Sequence, residues 1–157
     1  MFLPKYEFAK VIENAPLVSI DLCILKDGKL LIGKRINPPA KNFFFVPGGR
    51  ILKSELKKDA FSRILKNELG LVLKQNKEKL VKDLGTYEHF YRDNFLDNEE
   101  FSTHYVVLAF FIPFCSLDVI EEEIISQQHS EYIWLDIKNI NNSKYNIHPN
   151  TLEYLKN

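Results

Sequence analysis

The chain has 157 residues, 45% hydrophobic, 13% aromatic and 27% charged, which is about one domain's worth of a globular protein and excludes the disordered and low-complexity classes. Its 21 basic and 21 acidic residues cancel to a formal charge of zero, without the basic excess that marks a nucleic-acid partner. No apolar run reaches the roughly 18–20 residues that span a bilayer, and the opening MFLPKYEFAKVIEN puts charges where a secretion signal needs its apolar segment, so a cytoplasmic protein without membrane contact is expected.

Residues 5–14 predict a short helix with Phe8, Val11 and Ile12 on one face, stopped by Pro16. LVSIDLCIL and KLLIGKR, joined by Lys26-Asp27-Gly28, read as a β-hairpin whose Asp-Gly supplies the positive-φ turn. FFFVPGG reads as a strand entering a glycine loop. Over 54–69 the recurrence of Leu56, Ala60, Phe61, Ile64, Leu65 and Leu69 predicts a helix, with Ser54 as N-cap and Gly70 as C-cap. Strands follow near 80–91, 103–113 and 131–135, then an Asn-rich loop and a last helix over 149–156. The long polar stretch YRDNFLDNEEFST between two strands has the length of a functional loop. Helices interleaved with many strands predict an α/β or α+β layered fold in a single domain over 1–157. Cys23 and Cys115 lie in apolar runs and are expected as buried, unpaired thiols. No second Cys or His stands at zinc spacing.

The informative stretch is GGRILKSELKKDAFSRILKNELGL, residues 48–71, with Glu55 five spacers after Gly49 and Arg63 seven spacers after Glu55. It resembles the Nudix box, a loop–helix–loop in which glycines admit a diphosphate and helix carboxylates offer oxygen ligands to Mg2+. Two positions depart from the general box: Ile64 follows Arg63 where a Glu is usual, and Asn67 replaces the first of a Glu pair, leaving Glu68. The GDP-mannose mannosyl hydrolases share both departures. The chain is similar to that branch in PLVSIDL, LLIGKRINPPA, FVPGGR, EHFYRDNF, FSTHYVVLAF and QHSEYIWL as well.

The resemblance implies an α/β/α sandwich around a mixed sheet. It also implies hydrolysis of a GDP-hexose at the anomeric carbon, giving GDP and free sugar with inversion. By matched position, His129 is the general base, and Gly49 (through its carbonyl), Glu68 and Gln128 hold one Mg2+, with Mn2+ as its substitute. Arg35 acts catalytically on the leaving diphosphate; Arg50 follows the glycine loop onto phosphate. Asp21, His89, Tyr91 and Tyr105 line the substrate pocket. A homodimer is also implied, with the 92–103 loop and the N-terminal segment near the interface.

Taken without the family, several of these residues have plainer roles: His89, Tyr91 and Tyr105 as sheet packing with polar tips, and Arg35 as a solvated strand end. Glu55 is expected to complement the helix dipole, Arg63 to support Glu68, and His104 and His148 to be structural. Glu121, Glu122 and Glu123 read as a solvated acidic run, and the lysines between 53 and 82 as solubilising surface. Two competing functions stay open: a Nudix diphosphatase releasing a nucleoside monophosphate and sugar 1-phosphate, and a non-catalytic nucleotide-sugar sensor. Which GDP-hexose is preferred is not written in these residues.

Overall fold

The computed structural model describes residues 3–97, 99–120 and 128–156; the Glu121–Glu123 run lies outside them. Helix α1 (Lys5–Asn14) leads into β1 (Leu17–Lys26) and β2 (Lys29–Arg35). Asp27 at φ 50° and Gly28 at φ 76° make the two-residue turn between these strands, the double positive φ of a type I′ hairpin. Then follow β3 (Phe44–Phe45), β4 (Gly48–Arg50), α2 (Lys57–Leu69) and β5 (Leu71–Leu73). The second half supplies β6 (Lys82–Tyr91), β7 (Thr103–Pro113), β8 (Leu117–Val119), β9 (His129–Asp136) and α3 (Pro149–Glu153).

Seven strands form one mixed sheet, in which β1 runs parallel to β7 and every other pairing is antiparallel. The edge of β1 away from β7 changes partner along its length. Leu25 and Lys26 pair with β2, whereas Ser19, Ile20 and Asp21 pair with β4. β2 in turn passes from β1 to β3, at Gly33 and Lys34, while β9 follows its other edge. The segment 44–50 thus fills a wedge between two diverging strands, tied across it by the Leu22 amide donating to the Pro47 carbonyl at 2.8 Å.

Alternation sorts the side chains of β1 to opposite faces. Ile20, Leu22 and Ile24 pack with Ala60, Ile64 and Leu65 of α2. On the other face Cys23 packs with Phe44, Phe45, Val46, Ala109 and Tyr154, the residue that follows α3. Helices on both faces of a mixed sheet make the expected layered α/β architecture.

Four local expectations need correction. Ser54 is not an N-cap: it stands at φ 65° in the loop before α2, which begins at Lys57 and has no side-chain cap. Gly70, at φ 57°, does end that helix in the left-handed conformation. Cys115 is exposed, in a single 3-10 turn after β7, and only Cys23 is a core thiol. The last helix stops at Glu153, and β9 starts at His129, earlier than the apolar pattern suggests.

Candidate active site

On the α3 face of the sheet a cleft of about 240 Å³ runs over Asp21 of β1, His89 and Tyr91 of β6, and Tyr105 of β7. Phe8 and Ile12 of α1 and Phe95 of the long loop form one wall; Arg35, Gly48, Gly49, Arg50 and Gln128 form its lip. Eight of the expected residues (Asp21, Arg35, Gly49, Arg50, His89, Tyr91, Tyr105 and Gln128) therefore share one cavity. Glu68 and His129 stand behind Gln128 and do not line it.

The cleft floor is polar and buried. Asp21 is 7% exposed, and its Oδ2 accepts a 2.6 Å hydrogen bond from the Tyr154 phenol. Burial pushes the Asp21 carboxyl up to about 7, against the pull of Tyr154 and Arg35. A side chain at Gly48 would collide with Asp21 Oδ1 and stand 2.7 Å from the Ile20 carbonyl, so glycine there is the condition for β4 to lie beside Asp21. His89 is 2% exposed, and burial lowers its imidazole to about 4. Burial raises the phenols of Tyr91 and Tyr105, so both keep their protons and can donate.

Two guanidinium groups reach the lip. Arg35 Nε donates to the Pro39 carbonyl at 2.8 Å, and Nη1 lies 3.4 Å from Gln128 Oε1. Arg50 lies 3.9 Å above the Phe8 ring, with burial lowering its pKa. Arginine forks at a cavity mouth suit phosphate oxygens.

At the same lip Gln128 Nε2 donates to Glu68 Oε1 at 3.0 Å. His129 Nδ1 lies 3.9 Å from Glu68 Oε2 and 3.0 Å from the Tyr132 hydroxyl, which itself donates to the Glu68 carbonyl at 3.1 Å. Since that phenol has one proton, its oxygen accepts from Nδ1–H, and Nε2 is the basic nitrogen of His129. Burial and the charge of Arg35 drop this imidazole to about 3. Its ring is packed under Gly33, where an added Cβ would come within 2.6 Å of Cδ2.

Among the described residues no group of three or more His, Cys, Asp and Glu side chains converges as a metal cage. The Glu68 carboxylate, the Gln128 amide oxygen and the Gly49 carbonyl are all hard donors carrying one negative charge between them. That set fits Mg2+ or Mn2+ delivered with a diphosphate rather than a cation held by protein alone. Ile64, where a further carboxylate is usual, is 1% exposed and packs against Gly49; a charge there would be buried.

Arg63 gives its hydrogen bonds to Glu55 and the loop, while the Glu68 charge acts on it through space. Its Nε donates to Glu55 Oε1 at 2.6 Å, and its Nη2 donates to Glu55 Oε2 and to the Arg50 carbonyl, both at 2.8 Å. Glu55 also accepts from the Leu52 amide at 2.9 Å, so it is structural, a clamp on the loop at the N-terminal end of α2.

The Nudix-domain family model matches residues 16–156. The chain belongs to the Nudix family. Among curated proteins it is 39% identical over 108 residues to the low-salt glycan biosynthesis protein Agl8 of Haloferax volcanii, covering 69% of this chain and 65% of that one. It is 38% identical over 78 residues to an ADP-ribose pyrophosphatase of Methanocaldococcus jannaschii, covering 50% and 43%. The chain thus spans under two thirds of the length of either relative. In fold it is similar to a MutT Nudix hydrolase from Burkholderia pseudomallei (TM-score 0.69, 20% identity, 91% of this chain and 98% of that one). It is also similar to the Nudix domain of Shewanella oneidensis NrtR, solved with ADP-ribose (0.62, 17%, 98% and 96%).

Several residues of this Nudix site escape sequence reasoning. Tyr154 reaches Asp21 across 133 positions and His89 across 65, and in sequence it is one more aromatic in a terminal helix. Asn94, fully buried, ties the long loop by donating to the Phe101 carbonyl and accepting from the Leu96 amide, both at 2.9 Å. His104 stacks on Phe90, away from Tyr105, and His148 caps α3 by accepting from the Asn150 amide. Both fit structural roles.

Proposed function

We propose that this Nudix chain hydrolyses a GDP-hexose, GDP-mannose foremost and GDP-glucose as its nearest alternative, to GDP and free sugar. Water bonds to the anomeric C1 as the C1–O bond to the diphosphate breaks, inverting that carbon, and one water proton passes to a base. The observation that carries the reading is that, among the described residues, the box helix brings one carboxylate, Glu68, against Gln128. Attack at phosphorus in Nudix enzymes draws on further carboxylates, where this helix has Ile64 and Asn67. Displacement at C1 asks mainly for a stabilised leaving group and an activated water. A bound Mg2+ supplies charge neutralisation to the departing diphosphate.

Arg35 and Arg50 clamp the phosphate oxygens, with Tyr105 donating beside them. Asp21, His89 and Tyr91 take the sugar end. His129 is the base through Nε2, the ring nitrogen turned away from the Tyr132 hydroxyl. The glycan-biosynthesis name of the Haloferax relative supports a sugar-nucleotide substrate. The ADP-ribose pyrophosphatase relative supports a second reading, cleavage within the diphosphate.

Phosphorus NMR of GDP-mannose incubated with the protein and Mg2+ in 18O-labelled water separates the two. Unlabelled GDP with label on the mannose is the expected result. GMP with mannose 1-phosphate overturns C1 attack in favour of the diphosphatase, and tight binding without turnover leaves a sensor.

A further inference from the structure

We propose that Tyr154 is the positioning residue of the sugar end of the cleft, turning Asp21 and His89 into a pair of hydrogen-bond acceptors for sugar hydroxyls. The inference rests on the nucleotide-sugar reading above. Tyr154 is 3% exposed and follows the terminal helix α3. Its hydroxyl lies 2.6 Å from Asp21 Oδ2 and 3.3 Å from His89 Nε2. The shorter contact has the length of an O–H···O⁻ bond, so the single phenolic proton goes to Asp21. The phenol oxygen is then left to accept, and it takes Nε2–H of His89. That fixes the imidazole tautomer and leaves Nδ1 as an acceptor.

The acceptors of Asp21 and His89, beside the donating Tyr91 phenol, favour a ligand that both brings and accepts protons, as a polyhydroxylated ring does, whereas phosphate is attracted to Arg35 and Arg50 at the lip. The two ends of an elongated substrate are thereby told apart. Neighbouring contacts brace the same device: Asn150 Nδ2 lies 3.4 Å from the Tyr91 hydroxyl, and the Tyr87 ring meets the Tyr154 ring edge-on at 4.8 Å.

The test uses the full chain labelled with 15N-histidine, near pH 8, first without ligand. Wild type is expected to show His89 as the Nε2–H tautomer, and Tyr154→Phe to show a mixture. In titrations with Mg2+, Tyr154→Phe is expected to bind GDP-mannose about tenfold more weakly, the cost of one lost hydrogen bond, and to bind GDP as wild type does. An Nδ1–H tautomer in wild type, an unchanged histidine spectrum in the variant, or equal weakening of both ligands overturns the proposal. The wild-type spectrum decides even if the variant fails to fold. Failure of the wild type to turn over any GDP-hexose would instead strike the functional reading, leaving the tautomer result to stand on its own.

Discussion

Replacing Glu55 by Gln tests whether the box is held by a clamp or by a helix dipole. The carboxylate accepts three N–H groups, two from Arg63 at 2.6 and 2.8 Å and one from Leu52 at 2.9 Å. The Arg63 hydrogen bonds, chiefly, hold it down to about 2 from an ordinary 4.5. A glutamine turns one of those acceptors into an amide donor facing an N–H group. Charge-assisted hydrogen bonds of this kind contribute roughly 1.5–3 kcal/mol each in protected settings. The side chain of Arg63 is 30% exposed, so solvent screens the pair, and a total loss of about 1–2 kcal/mol is expected. Urea unfolding near pH 7 measures it. Because the folded pKa is depressed, this stabilisation is complete above the unfolded value of 4.5 and disappears as pH falls toward 2. The gap between wild type and variant should therefore narrow between pH 5 and pH 3. A double-mutant cycle with Arg63→Ala should return a coupling of about 1 kcal/mol. Equal stability near pH 7, or a gap indifferent to acid, would refute the clamp.

Other substitutions probe the remaining contacts. His129→Gln should depress turnover about 10²–10⁴-fold with little change in GDP-hexose affinity; undiminished activity in steady-state assays would remove His129 from the chemistry. Gly33→Ala places a methyl within 2.7 Å of both the His129 and Tyr132 rings. It should lower stability by about 1–3 kcal/mol in thermal or urea melts. Arg35→Lys keeps the charge but loses the fork that holds Pro39 and faces Gln128. It should raise KM for the nucleotide-sugar more than Lys34→Arg does, and equal KM values would show that the fork is not used.

The hairpin and the box helix are legible because each depends on neighbours in sequence. Asp27-Gly28 needs only two positive φ values, and the stripe of Ala60, Ile64 and Leu65 needs only one apolar face. The motif positions also converge, for eight of them meet in one cleft. What stays hidden depends on a third dimension. Ser54 has the right type for a cap, yet the Glu55 clamp folds the preceding loop so that its φ is 65°. Cys115 sits in an apolar run but falls on a turn that faces solvent. Arg63 is recognisable as a box residue, but its choice of Glu55 over Glu68 follows from the loop's path. The burial of His129 under Gly33 could not be read from a polar QQHSEY segment, because it depends on the register that sets β9 against β2.

The wedge between β1 and β2 carries a broader consequence. A sheet whose strands part company exposes backbone groups in its middle, and here the chain heals the tear with its own glycine segment, 44–50. The cleft mouth is therefore bounded by a seam in the sheet, much as crevices open where strand order reverses in wound α/β proteins. The described residues of the 92–102 loop stay out of the cores packed around Ile20 and Cys23, whereas loop 36–43 lends Ala40 and Phe43 to the second of them. Lengthening or shortening the 92–102 loop would reshape the mouth while the folded scaffold stays as it is. Such an architecture can change what it admits one loop at a time, leaving the glycine seam as the part that every variant must keep.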